Sequence, residues 1–110
     1  GPVNLVPGSV SGGVLTCALG TCEVSAADGD YQIGVRPESL SLEDSLGGQE
    51  GGVSFSAGLA NIRAFGAEWL AELSAPEGMN WQARLRQAEA PKAGQHKFYV
   101  SARHLMLFSL

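Results

Sequence analysis

Apolar and polar residues alternate in short runs along most of this chain. Tyr31, Ile33 and Val35 alternate with Gln32, Gly34 and Arg36, and Val53, Phe55 and Ala57 with Ser54 and Ser56. Met79, Trp81, Ala83 and Leu85 alternate with Asn80, Gln82, Arg84 and Arg86. A period of two puts each set on one face of an extended strand, so these runs predict strands buried on one side. Glu68 to Leu73 alone is compatible with a helix, since Trp69 and Leu73 stand four apart. The matching run at Met79–Leu85 and the turn Ala75-Pro76-Glu77-Gly78 between them decide for a hairpin. Burying the two indoles is worth about 2–3 kcal/mol each, which places Trp69 and Trp81 in the core rather than on a ligand platform.

The same reading extends to the rest of the chain. Asn4-Leu5-Val6-Pro7-Gly8 reads as an entry segment with a turn, Gly12-Gly13 separates two short strands ending at Ser11 and starting at Val14, and Thr21–Val24 follows as another. Asp28-Gly29 supplies a turn before the Tyr31 strand. Pro37 removes an amide donor and holds Arg36 extended, so that strand ends there and Pro37 opens a helical turn through Leu40. Residues 43–52, rich in glycine and acid, form a loop dividing the chain into lobes at roughly 3–44 and 52–110, between which strands can also pair discontinuously. Ala60 to Gly66 is expected to be extended or a connection. A turn at Pro91–Gln95, a strand at His96–Ser101, one helical turn at Ala102–Leu105 and a closing run at Met106–Phe108 complete the chain. About ten short strands without long helices predict an all-β fold, an OB-like small barrel or pair of barrels, within a single domain spanning 1–110.

Composition supports one folded domain. The 110 residues are 45% hydrophobic and 16% charged, which excludes a disordered chain, and 15 Gly with 5 Pro fit many turns. No apolar run is long enough to span a bilayer. Gly1-Pro2, without an initiating Met, reads as the scar of a removed purification tag, so the chain is expected to be an excised piece of a longer protein. The formal charge is −4, yet Arg84, Arg86, Lys92, Lys97 and Arg103 cluster near the C-terminus. A solvated surface is the expectation for them, with a local basic patch as the alternative.

Catalytic signatures are absent from the sequence. There is no G-x-x-x-x-G-K-[ST], G-x-S-x-G, H-E-x-x-H or G-x-G-x-x-G, so no phosphate-cradling loop, nucleophile elbow or zinc helix is encoded, and the chain is not expected to be an enzyme. His96 and His104 have no nucleophile tied to them and read as surface residues. Cys17 and Cys22, spaced C-x4-C, are expected to be ordinary reduced cysteines. On a hairpin they can face each other, but a disulfide closing so short a loop contributes about 2 kcal/mol or less, and a metal site is expected to need more ligands than two thiols, with His96 and His104 at no ligand spacing to them, so no metal site is expected. Arg36 and Glu38 flank Pro37 and suit either a structural corner with a local ion pair or a contact with a ligand or another domain. Arg36, Pro37 and Glu38 are therefore the candidate interface or ligand residues.

Three segments, in their order, carry a family resemblance: Val3-Asn4-Leu5-Val6-Pro7-Gly8 at the start, Gly34-Val35-Arg36-Pro37-Glu38 at the corner, and Leu105-Met106-Leu107-Phe108 at the close. Through them the chain resembles, over almost its whole length, the transport-associated OB (TOBE) regulatory domain that follows the ATPase domain in subunits of maltose-, ferric-ion- and polyamine-type ABC importers. Where that family has a Leu-Gly-acid segment before the hairpin, this chain has Arg63-Ala64-Phe65-Gly66-Ala67-Glu68. The resemblance implies two OB-like lobes that modulate ATP turnover without performing it. The parent would bind ATP and Mg, pair with a second copy of the ATPase subunit, receive a cytoplasmic regulator and sit on membrane permease subunits at the inner face of the cell membrane. No cofactor is expected in this piece. The alternative is an OB-type ligand-binding module, either an oxyanion sensor using backbone amides and Ser hydroxyls or a single-stranded nucleic-acid binder. The acidic total argues against nucleic acid.

Overall fold

A computed structural model describes residues 2–43 and 51–110. Ten strands form two five-stranded antiparallel sheets, with no α-helix among the described residues. The expected all-β fold is the observed one. Most of the expected loop at 43–52 lies outside the described residues.

The first sheet has the order β10-β4-β1-β2-β3. Its strands are β1 (Asn4–Ser11), β2 (Val14–Cys17), β3 (Gly20–Glu23), β4 (Gly29–Val35) and β10 (Met106–Ser109). Gly12 and Gly13 turn β1 into β2 with φ of 58° and 78°, a left-handed pair that suits a two-residue hairpin. The entry segment contains no turn. Asn4 to Gly8 is already strand, paired with β4 from Asn4↔Val35 to Gly8↔Tyr31. Pro7 is tolerated there because β2 pairs with β1 only from Gly8 onward, leaving Pro7 with a neighbour on one side alone. Asp28-Gly29 likewise does not make the turn expected of it. Gly29 opens β4 opposite Val10, while the Asp28 carboxylate accepts from the Gly12 amide at 2.9 Å.

The second sheet has the order β5-β9-β6-β7-β8. It comprises β5 (Ser41–Leu42), β6 (Gly52–Phe65), β7 (Glu68–Ala75), β8 (Met79–Leu85) and β9 (Gly94–Ser101). The predicted hairpin is present, with Leu73 opposite Trp81 and Ala75 opposite Met79. Ala60 to Phe65 is the far end of β6, not a separate connection. The β6–β7 register slips between Ala60 and Arg63, where Asn61 adopts φ 52°. Asn is among the few residues that accept this left-handed conformation cheaply.

The sheets do not divide the chain at the loop. β5 crosses into the second sheet, and β10 returns to the first. Inward residues of both sheets form a single apolar cluster, with Leu15, Ile33, Val35, Phe98 and Val100 wholly buried. Phe55 stacks on Phe98 and meets Trp81 edge-on, both at 6.0 Å. The Trp81 indole N–H donates to the Leu5 carbonyl across the sheets at 3.3 Å. Trp69 departs from expectation. It is only half-buried, and its N–H donates to the Gln87 carbonyl near the rim.

Asn4 makes the second seam between the sheets. Its side-chain amide donates to the Gln82 carbonyl at 2.8 Å, and its carbonyl oxygen accepts from the Gln82 amide at 2.9 Å. β8 is an edge strand with backbone groups unpaired on its outer side, so one buried amide substitutes for a missing strand neighbour there.

Candidate binding cleft at the strand corner

The corner is built as its sequence dictates. Arg36 is extended at φ −70°, ψ 143°, and Pro37 opens a 3-10 turn, Pro37–Ser39. Ser39 donates to the Arg36 carbonyl at 2.9 Å, and Leu40 to that of Pro37 at 3.4 Å. Pro37 is buried and the turn packs against β8, whereas Arg36 and Glu38 are exposed. The three candidate residues therefore part company. Among the described residues the one ion pair is Arg84 with Glu68, so the local Arg36–Glu38 pair is not formed.

Pro37 forms one wall of a cleft of about 250 Å³ over β7 and β8. The small side chains of Ala71 and Ala83 lie along it and leave the space open. Phe65 and Leu70 supply further apolar wall, and Arg63 and Arg84 bring two cations to it. The slip at Asn61 shapes this arrangement, because an inserted residue bends and twists the strand that carries it. Beyond it, Arg63 and Phe65 are both exposed at the cleft. Asn61 also donates its side-chain amide to a Glu72 carboxylate oxygen, which engages one of the nearby negative charges.

Arg84 is held at two points. Its Nη2 lies 2.5 Å from Glu68 Oε1, and its guanidinium carbon stands 6.0 Å from the centre of the Phe65 ring. Its Nε is buried with no hydrogen-bond partner in the structure. Arg63 forms no ion pair among the described residues. Two guanidinium groups against two engaged carboxylates, beside apolar walls, can accept a small anion through charge-assisted hydrogen bonds. Glu38 lines the adjoining hollow beside Glu68 and Arg86.

Sequence reading singled out Pro37 but missed Asn61 and Arg63 as site residues. The only available signal was Arg63-Ala64-Phe65 standing where the resembled family has different residues. The remaining candidates lie elsewhere. His96 Nε2–H donates to the Lys92 carbonyl at 2.5 Å, and His104 is exposed in the turn Ala102–His104. Cys17 and Cys22 are unbonded and half-buried, and burial followed by the neighbouring Cys17 pushes the Cys22 thiol above its ordinary value. A wider hollow of about 890 Å³ lies by the Gly12-Gly13 turn, with Ser25, Tyr31 and Arg103 on its rim. No helix among the described residues is long and apolar enough to cross a membrane.

No protein-family model matches the chain, and no curated protein matches it. Among solved structures it is similar to the cytoplasmic molybdate-binding protein ModG, in a form with molybdate bound. The TM-score is 0.66 at 14% sequence identity, over 97% of this chain and 96% of that one. At that identity the likeness is one of fold, and it agrees with the OB-type all-β architecture.

Proposed function

We propose that this chain is a non-catalytic TOBE/OB-type binding module whose ligand is a small tetrahedral oxyanion. The observation that carries this reading is the end-to-end likeness in fold to a molybdate-binding protein. We assign it to the corner cleft, where Arg63 is exposed and forms no ion pair among the described residues and Arg84 lines the wall. An oxyanion there exchanges water for guanidinium donors through charge-assisted hydrogen bonds, beside apolar surface from Pro37, Phe65 and Leu70.

Calorimetric titration with molybdate, tungstate, sulfate and phosphate tests this. Saturable binding of at least one is expected, weakened about tenfold or more in Arg63→Gln, since a hydrogen bond to a charged group is worth roughly 1.5–3 kcal/mol. Absence of binding by all four overturns the reading. Binding unchanged by Arg63→Gln removes the cleft as its place.

A second reading rests on a different observation, the resemblance of Gly34 to Glu38 to the corner of ABC importer regulatory domains. Under it the module touches a second ATPase subunit, a regulator or permease subunits at the cytoplasmic membrane face, and the parent holds ATP and Mg. The gene decides: a P-loop encoded upstream of Pro2 supports this reading, and a parent without one removes it.

A further inference from the structure

The two cysteines stand on adjacent strands of one hairpin. Leu15 lies opposite Cys22, and Cys17 lies opposite Gly20. Leu15 and Cys17 are two residues apart and share a face of β2, so both thiols lie on the face that carries Leu15 into the core. Cys17 and Cys22 are therefore diagonal neighbours across the ladder.

That placement separates the chemistries two thiols can share. Diagonal neighbours on a sheet stand roughly 7–8 Å apart, somewhat less between Cβ atoms. A disulfide requires about 3.5–4.5 Å between Cβ atoms, which suits a directly opposed pair. Opposing the two cysteines would need a turn two residues longer than Ala18-Leu19, and it would pull Leu19, 3% exposed, out of the core. Pairing of Gly8 with Cys17 fixes β2 from its other side. Two thiolates bridged by a metal are under a looser demand, because two metal–sulfur bonds of about 2.3 Å span about 4.6 Å between sulfurs.

Ligand number then selects the ion. Among the described residues no group of three or more His, Cys, Asp or Glu is placed to hold a metal, so four-coordinate zinc lacks its partners. Soft thiolates in low number suit copper(I). Leu15 and Leu19 are buried in the same cluster against which both cysteines pack, so one flank of the pair is apolar.

We propose that Cys17 and Cys22 form a two-thiolate site for copper(I) between β2 and β3. On binding, each thiol releases its proton to solvent and each sulfur forms one bond to the ion. No oxidation state changes, and the site gains one net negative charge. The site lies in the first sheet and the cleft over β7 and β8 in the second, so neither proposal depends on the other.

The test is an anaerobic competition titration of the chain with copper(I) delivered from a chromophoric chelator. One ion per chain is expected, with two protons released. Cys17→Ser and Cys22→Ser should each lose affinity by about a hundredfold or more, because one thiolate alone forfeits the chelate advantage. Cys17→Ala and Cys22→Ala keep more of the apolar packing and carry the same expectation, which guards against a serine variant that fails to fold. Full affinity in any folded single variant overturns the site. So does a stoichiometry of one ion per two chains, or a mild thiol oxidant that converts the folded chain quantitatively to the intramolecular disulfide without altering its near-ultraviolet circular dichroism.

Discussion

Gly34 and Gly52 show how differently two glycines of one fold can be constrained. A Cβ on Gly34 would meet Phe108, Val3 and Met106 at 2.9–3.1 Å, but each contact is with the end of a side chain that can turn aside. Gly34→Ala should therefore change stability by less than about 1 kcal/mol in denaturant titration, since alanine also recovers some of the entropy that glycine loses in a strand. Gly52 sits at φ 125°, where a Cβ would stand 2.3 Å from the Val100 carbonyl oxygen. Backbone cannot turn aside. Gly52→Ala should cost about 2–4 kcal/mol in the same measurement, and equal effects at the two positions would refute this account. Residue-level reading reached Pro37 because proline's missing donor and fixed φ act locally. It did not reach Asn4, whose role is a double hydrogen bond to Gln82, 78 positions away.

At the scale of elements, strands were legible wherever burial is one-sided, because period two then writes the core face directly into the sequence. The β7–β8 hairpin is the clearest case, yet its two indoles differ. Trp81 is 3% exposed and packs edge-on against Phe55, while Trp69 is half-buried at the rim. Trp81→Ala should cost about 3–5 kcal/mol, as large aromatic deletions in cores do. Trp69→Ala should cost clearly less, about 1–2 kcal/mol, since a large part of its surface stays in water. Urea titration of the two variants tests the order, and a larger loss at Trp69 would contradict the packing. The slip at Asn61 was illegible for the opposite reason. A bulge interrupts the period, and the stretch from Ala60 to Gly66 offered no alternation from which to infer that β6 continues.

For the molecule as a whole, the fold class followed from turn spacing and strand length, while the cleft did not. It joins Pro37, Arg63 and Arg84, which are distant in sequence and meet only because β4 turns at the corner toward β8. Composition records charges but not their meeting place. The shared core has a thermodynamic consequence. Both tryptophans lie in the second sheet, so indole fluorescence follows that sheet, whereas far-ultraviolet circular dichroism follows all ten strands. The two thermal transitions should coincide, because neither sheet can leave the single apolar cluster without exposing the inner face of the other. Separate midpoints would show two independent folding units.

The first sheet also fixes where attachments emerge. β1 and β10 both run antiparallel to β4, so the chain enters beside Val35 and leaves beside Tyr31, at the opposite end of the same strand. Pro2 itself lines the corner cleft. A surface tether or fluorescent reporter joined at Leu110 would therefore leave that opening clear, and the same group joined ahead of Pro2 would crowd its mouth.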